Sequence, residues 1–262
     1  RLMQRAYVIL FFCFMYLPIA YIIVFSFNQS KGYALFTGFT RKWYTSLLHN
    51  SAILSALRVS LEVALISAVI ATVLGTAASL GIASMSRKSR LVVTNITYIP
   101  VVNPEIITGI SLMLLFVAYQ RFAEGVSWLP DTIMGMPTLL IAHLAFNVPY
   151  VIFNVTPKLK QLDIKLYEAA LDLGCDPRQA FFKVILPEIS PAILSAFLIC
   201  LTYSIDDFMI SYFNCGTVET LPIAIYSMTR KKVSPEIYAL STIMFVVILT
   251  IILISNAMES RE

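Results

Sequence analysis

Residues 6–27 (AYVILFFCFMYLPIAYIIVFSF) carry no charge and follow Arg1 and Arg5. An uncharged apolar run of about 20 residues spans a bilayer as a helix, and this one lacks the small-residue cleavage site of a secretory signal. Five more apolar stretches follow, at about 63–85, 91–119, 132–156, 189–213 and 237–257. The pattern predicts an all-α polytopic membrane protein with six transmembrane helices.

Interruptions of the apolar pattern carry further information. In the second stretch Ala71, Gly75 and Ser79 recur every four residues, with Ala77 and Gly81 on a neighbouring line, as in surfaces where helix backbones approach closely. In the third, Pro100, Asn103, Pro104, Glu105 and Gly109 fall within ten residues. Backbone groups freed there must face protein or a watery cavity, so the segment is either a helix broken beside a pathway or a kinked packing helix. Pro137 and Pro149 repeat the theme more weakly in the fourth.

Composition agrees with this picture. Of 262 residues 58% are hydrophobic and 13% charged, against roughly 25% charged in a soluble domain, and the mean hydropathy is +0.81. An ordinary cytosolic enzyme is excluded. A net charge of +4 is too slight to suggest nucleic acid as a partner. Cys13, Cys175, Cys200 and Cys215 fall at different depths without metal-ligand spacing, so neither a disulfide framework nor a metal site is expected. Because position 1 is Arg rather than Met, further N-terminal residues are expected ahead of it.

Six crossings put both termini on one side. That side carries eleven Lys and Arg, including Arg87, Lys88, Arg90, Lys158 and Arg178, against seven on the other, which predicts cytoplasmic termini. Arg58, near the outer end of the second helix, has Glu62 one turn on as a partner.

Between the fourth and fifth crossings lies a polar loop, about 157–188, with structure of its own. Ile164–Leu173 reads as a short helix, capped by Asp163 and ended at Gly174 in the left-handed conformation. Asp176, Pro177 and Gln179 spell a second start, and Pro187 is expected to stop that second helix. The projection is expected to present Tyr167, Ala170, Leu171, Phe181 and Phe182 to a soluble partner.

The run Glu168-Ala169-Ala170, three residues, Gly174, nine residues, Val184, one residue, Leu186-Pro187 resembles the EAA loop of ABC importer permeases, with Val184 where that family usually has Ile. The resemblance implies a type I ABC importer permease (MetI-like) fold, one transmembrane domain over 1–262, in a bacterial cytoplasmic (inner) membrane. It also implies that the first short helix is a coupling helix seated on a separate ATPase, with Tyr167, Glu168, Ala169, Ala170, Gly174, Leu186 and Pro187 forming the contact. The chain has no G-x-x-x-x-G-K-[ST] phosphate loop, so ATP and its Mg are expected on that partner, with no cofactor and no catalytic residue here.

The fifth stretch holds Tyr203-Ser204-Ile205-Asp206-Asp207-Phe208. A carboxylate near the bilayer centre costs about 2.5 to 3.5 kcal/mol on insertion scales, so a neighbouring pair needs a reason. Tyr203 is three residues before Asp206 and four before Asp207, within reach of either, and a carboxylate beside an aromatic face suits an organic cation. The alternatives are pairing with Arg58, capping of a broken helix, or a hydrogen bond to a neighbour. Glu105 adds a second, separated carboxylate, and Phe208, Tyr212 and Tyr150 are further candidate liners. The stretch from Leu201 through Leu240, with Leu221-Pro222, Ile225-Tyr226-Ser227-Met228 and Val233-Ser234-Pro235-Glu236, resembles the C-type permeases of spermidine/putrescine importers. That resemblance implies a polyamine substrate, a related second permease, two ATPase copies and an extracytoplasmic solute-binding protein, with lipid around the assembly. Another small solute, or an ion-gradient-driven transporter using Glu105, Asp206 and Asp207, stays open.

His143 reads as a hydrogen-bonded interior histidine. Trp43 and Trp128 sit where interfacial anchors do. The outer loops, about 28–51, 120–131 and 214–236, would offer a landing surface, with Glu219 and Arg230-Lys231-Lys232 as charged knobs.

Overall fold

Small side chains line much of the inward face of the longest described helix. In the computed structural model, which describes residues 2–31, 35–123, 133–231 and 235–259, helix α3 (Ser51–Ser84) turns Ala64, Ala68, Ala71, Gly75 and Ser79 inward. It leaves Leu65, Val69 and Val73 about half exposed. This inverts the soluble pattern, because lipid tails are as apolar as leucine and only close packing and hydrogen bonds favour helix contact. Ala68 and Ala71 meet Val151 and Val155 of α6 (Met136–Gln161) and Ile189, Ala196 and Cys200 of α9 (Leu186–Asp206), the central three-helix core. Ala77 and Gly81, by contrast, are exposed, so the second line of small residues packs on nothing within the described chain.

Before α3 come α1 (Leu2–Phe25), which packs on the last helix, and the short α2 (Lys42–His49). After it come α4 (Arg87–Val102) and α5 (Glu105–Ala123). Beyond α6 lie α7 (Ile164–Asp172) and α8 (Pro177–Ala180), and beyond α9 lie α10 (Met209–Asn214), α11 (Leu221–Lys231) and α12 (Pro235–Glu259). Among the described residues five helical segments are long and apolar enough to cross a membrane: α1, α3, α5, α6 and the run Pro177–Asp206. The sixth predicted crossing is α12, apolar over Pro235–Thr250. Trp128, Lys232, Val233, Ser234, Arg1 and Arg261 lie outside the described residues.

Several expectations need correction. The second crossing starts twelve residues earlier than its apolar core, at Ser51 after an Asn50 cap, while the expected Arg58–Glu62 pair forms within it at 2.7 Å. The third stretch is broken, as one of its two readings had it, and what changes is the crossing, which begins only at Glu105. The fourth runs unbroken through Pro149 and Pro157 to Gln161, shortening the loop predicted from 157. Pro187 does not stop the second loop helix. A π turn over Phe181–Ile185, where the Leu186 N–H reaches back to the Phe181 carbonyl, joins α8 to α9. The wider turn accommodates the ring and missing N–H of Pro187 in the first turn of α9, and one helix results. Trp43 is no exposed anchor: it is buried, and its Nε1 donates to the Asn28 carbonyl at 2.7 Å.

Arg90 has a structural use. Its Nε donates to the Ile82 carbonyl (3.2 Å), and its Nη2 donates to those of Ala83 (2.7 Å) and Met85 (2.9 Å), satisfying the orphaned C-terminal carbonyls of α3.

Candidate functional site

Two helix breaks converge on one cavity. The first is local chemistry at Asn103-Pro104. A residue before proline is pushed out of the helical region, and Asn103 accordingly has φ −70° and ψ 134°. Pro104 has no N–H to continue α4, but its carbonyl accepts from Ile107 and starts α5. Asn103 Nδ2 donates to Thr108 Oγ1 across the break (3.0 Å). Glu105 then falls in the first turn of α5, where a negative charge suits the helix dipole.

The second break is at Asp207, extended at φ −64°, ψ 118°. Its carboxylate accepts from the backbone N–H groups of Ile210 (3.3 Å) and Ser211 (2.7 Å) and from Ser211 Oγ (2.7 Å). Local side-chain acceptors of this kind compete with helix continuation and restart it at α10. The capping alternative raised from sequence therefore describes Asp207, while Arg58 is engaged by Glu62.

Between the breaks lies a cavity of about 440 Å³. It is lined by the end of α4 (Pro100, Val101), by Asn103, Glu105 and Thr108, by Phe146 and Tyr150 of α6, and by the run from Tyr203 through Asp206, Asp207, Phe208 and Met209 to Ile210. The structure thus brings Glu105, Tyr203, Asp206, Asp207 and Phe208 together around one space. Asp206 is exposed to it, whereas the Asp207 side chain is 5% exposed. Among the described residues no lysine, arginine or histidine lines the cavity, so the fixed charge of its described lining is negative. The Tyr150 and Tyr203 rings meet edge to face at 4.9 Å. Tyr212 stays outside the lining and packs with Phe208 and Tyr226 of α11, at 5.4 Å and 6.3 Å. Sequence reasoning placed Asn103 at a break beside a pathway but missed Phe146 and Thr108. Phe146 stands four residues before Tyr150 on one face of α6, a spacing that could have flagged it.

His143 is interior, as expected, 1% exposed, with Nε2 at 3.1 Å from Ser211 Oγ. Ser211 donates its hydrogen to Asp207, so it accepts from Nε2–H. Serine sits in the middle of this chain, whereas nucleophilic catalysis requires histidine there.

At the other end, Asp163 accepts from Lys165 N–H (3.0 Å) to start α7, and Asp176 accepts from Gln179 N–H (2.7 Å) to start α8. Between them Gly174 has φ +87°, with Gly174 N–H bonded to Leu171 and Cys175 N–H to Ala170. This paired closure needs the left-handed conformation that glycine adopts freely. Glu168, Ala169 and Pro187 are exposed, Tyr167 and Leu186 half-buried. Ala170 departs from expectation, turning inward at 7% exposed; Phe182 is exposed as expected, and Ile164, Leu166 and Leu173 are exposed beside the residues foreseen. The helix register around the Gly174 turn selects these residues.

Residues 71–260 match the model of a family described as binding-protein-dependent transport system inner membrane component. The putrescine transport system permease protein PotI of Escherichia coli K12 is 39% identical over 235 residues, 88% of this chain and 82% of the relative. The spermidine/putrescine transport system permease protein PotC of the same organism is 34% identical over 257 residues, 98% and 93% of the two chains. Among solved structures, a bacterial alginate ABC transporter in complex with an alginate pentasaccharide-bound periplasmic protein superposes with a TM-score of 0.76 at 18% identity, over 99% of this chain and 93% of that one. The likeness bears out the importer-permease fold.

Proposed function

This chain belongs to the family of binding-protein-dependent transport system inner membrane components, and on that premise we propose that it forms half of the membrane pathway of an ATP-driven polyamine importer. Its relatives PotI and PotC are named for putrescine and spermidine/putrescine transport. The observation that carries the reading is the cavity at the two breaks. Glu105 and Asp206 are separated acids, contributed by different helices, with Tyr150 and Tyr203 beside them and no basic group among the described lining residues. A linear polycation can engage both acids at once, with its methylene chain against the rings. An anion meets only repulsion.

The second permease half, two copies of an ATPase and an extracytoplasmic binding protein complete the proposed assembly. Both termini and α7 face the cytoplasm. The segment around Glu168, Ala169 and Gly174, with Leu186 and Pro187 behind it, meets the ATPase, and ATP stays on that subunit. Cargo and nucleotide drive the change of access only through unequal affinity for its two states. The test is uptake of labelled putrescine and spermidine by the reconstituted assembly. ATP-dependent uptake of either, suppressed by Asp206→Asn, supports the proposal. Uptake that needs no ATPase, or that ignores both Asp206→Asn and Glu105→Gln, overturns it.

A further inference from the structure

Asp206 and Asp207 are neighbours in sequence but face different surroundings. Asp206 opens to the cavity, while the Asp207 carboxylate turns to α10 and toward α6, meeting two backbone N–H groups, the Ser211 hydroxyl and, at 3.7 Å, His143 Nε2. The far end of α10 is held as well. Thr138 Oγ1 of α6 donates to the Asn214 carbonyl (2.7 Å), and Asn214 Nδ2 donates to the Gly109 carbonyl of α5 (3.1 Å). A six-residue helix has little stability of its own, so its position is set by these attachments.

We infer that Asp207 is a positioning residue rather than a cargo ligand: its carboxylate holds the start of α10 against His143 and Ser211 of the α6–α10 contact, and so places Phe208 and Met209 in the cavity wall beside Asp206. The inference deepens the polyamine reading by leaving Asp206 and Glu105 as the acids that meet cargo. Capping needs an oxygen acceptor and not a charge: asparagine with its amide oxygen in the Oδ2 place keeps the two 2.7 Å bonds from Ser211 and gives up only the 3.3 Å bond from Ile210 N–H. Cation binding needs the charge. The Asp→Asn exchange therefore separates the two roles.

The experiment compares concentration-dependent uptake of putrescine and spermidine by the reconstituted assembly. For Asp207→Asn we expect KM and turnover within about twofold of the unsubstituted assembly. Asp207→Ala and Ser211→Ala lower turnover several-fold with KM held, while Asp206→Asn raises KM about tenfold, the size of one lost charge contact. Should Asp207→Asn raise KM as Asp206→Asn does, the assignment is overturned. Thermal unfolding of the purified assembly adds a readout without cargo: a midpoint lowered by Asp207→Ala and kept by Asp207→Asn supports the assignment whatever solute is carried. A midpoint lowered equally by both overturns it. Absence of polyamine uptake by the unsubstituted assembly strikes the proposed function alone.

Discussion

The Gly109 carbonyl on α5 accepts a hydrogen bond from Asn214 Nδ2 at the end of α10, 3.1 Å away, and the α5 backbone lies against α10 there. A Cβ at position 109 would stand 3.1 Å from Phe213 Cδ2 and 3.3 Å from both Ile210 Cα and the Met209 carbonyl oxygen. Two of those three atoms are backbone and cannot rotate away. Gly109→Ala is expected to destabilise the chain by about 1 to 3 kcal/mol through overpacking, and Gly109→Leu by more. Thermal midpoints of the detergent-purified assembly check the order; an unchanged midpoint for leucine would contradict this contact.

Gly174 poses the opposite case, because nothing stands within 4 Å of its added Cβ and only φ +87° resists substitution. The left-handed conformation costs an L-residue roughly 1 to 2 kcal/mol, less for asparagine. Coupled uptake is expected to fall in the order Gly, Asn, Ala, Val at this position. A bulky residue as active as glycine would show that the turn is not needed.

Glu105 and Asp206 bear on cargo charge. Each neutral exchange, Glu105→Gln or Asp206→Asn, is expected to raise the KM for spermidine about tenfold, near 1.4 kcal/mol, and the double exchange to raise it further. An uncharged amine should be much less affected. Equal effects on charged and neutral solutes would point to a packing role.

Arg90 offers a test of helix capping. Arg90→Lys retains the charge but loses the planar fork that reaches the Ile82, Ala83 and Met85 carbonyls. A loss of about 1 kcal/mol is expected for lysine and slightly more for alanine. If lysine matches arginine in unfolding measurements, charge rather than geometry is what matters.

Local chemistry was readable from the chain wherever one residue decides its own surroundings. Asp163, Asp176 and Gly174 act as their types dictate, and Asn103-Pro104 breaks a helix as a pre-proline residue must. Where packing decides, local signals misled. Pro187 reads as a stop, yet a π turn absorbs it; Trp43 reads as an anchor, yet folds inward onto Asn28. Ala170 reads as a docking surface but is covered by its own chain. The acidic pair was visible, but its division of labour was not, since which aspartate turns to the cavity depends on where α9 ends relative to α6.

The helix that starts at Pro177, next to the Gly174 turn, ends at Asp206 in the cavity wall and spans 30 residues. At 1.5 Å per residue that is a strut of about 45 Å. Torque or thrust applied at its outer tip reaches an acid in the membrane through one covalently continuous backbone, without slippage across any side-chain interface. The strut departs from regular α geometry at the widened turn over Phe181–Ile185, and stiffening or tightening that turn would alter how much of an imposed displacement survives to the far end.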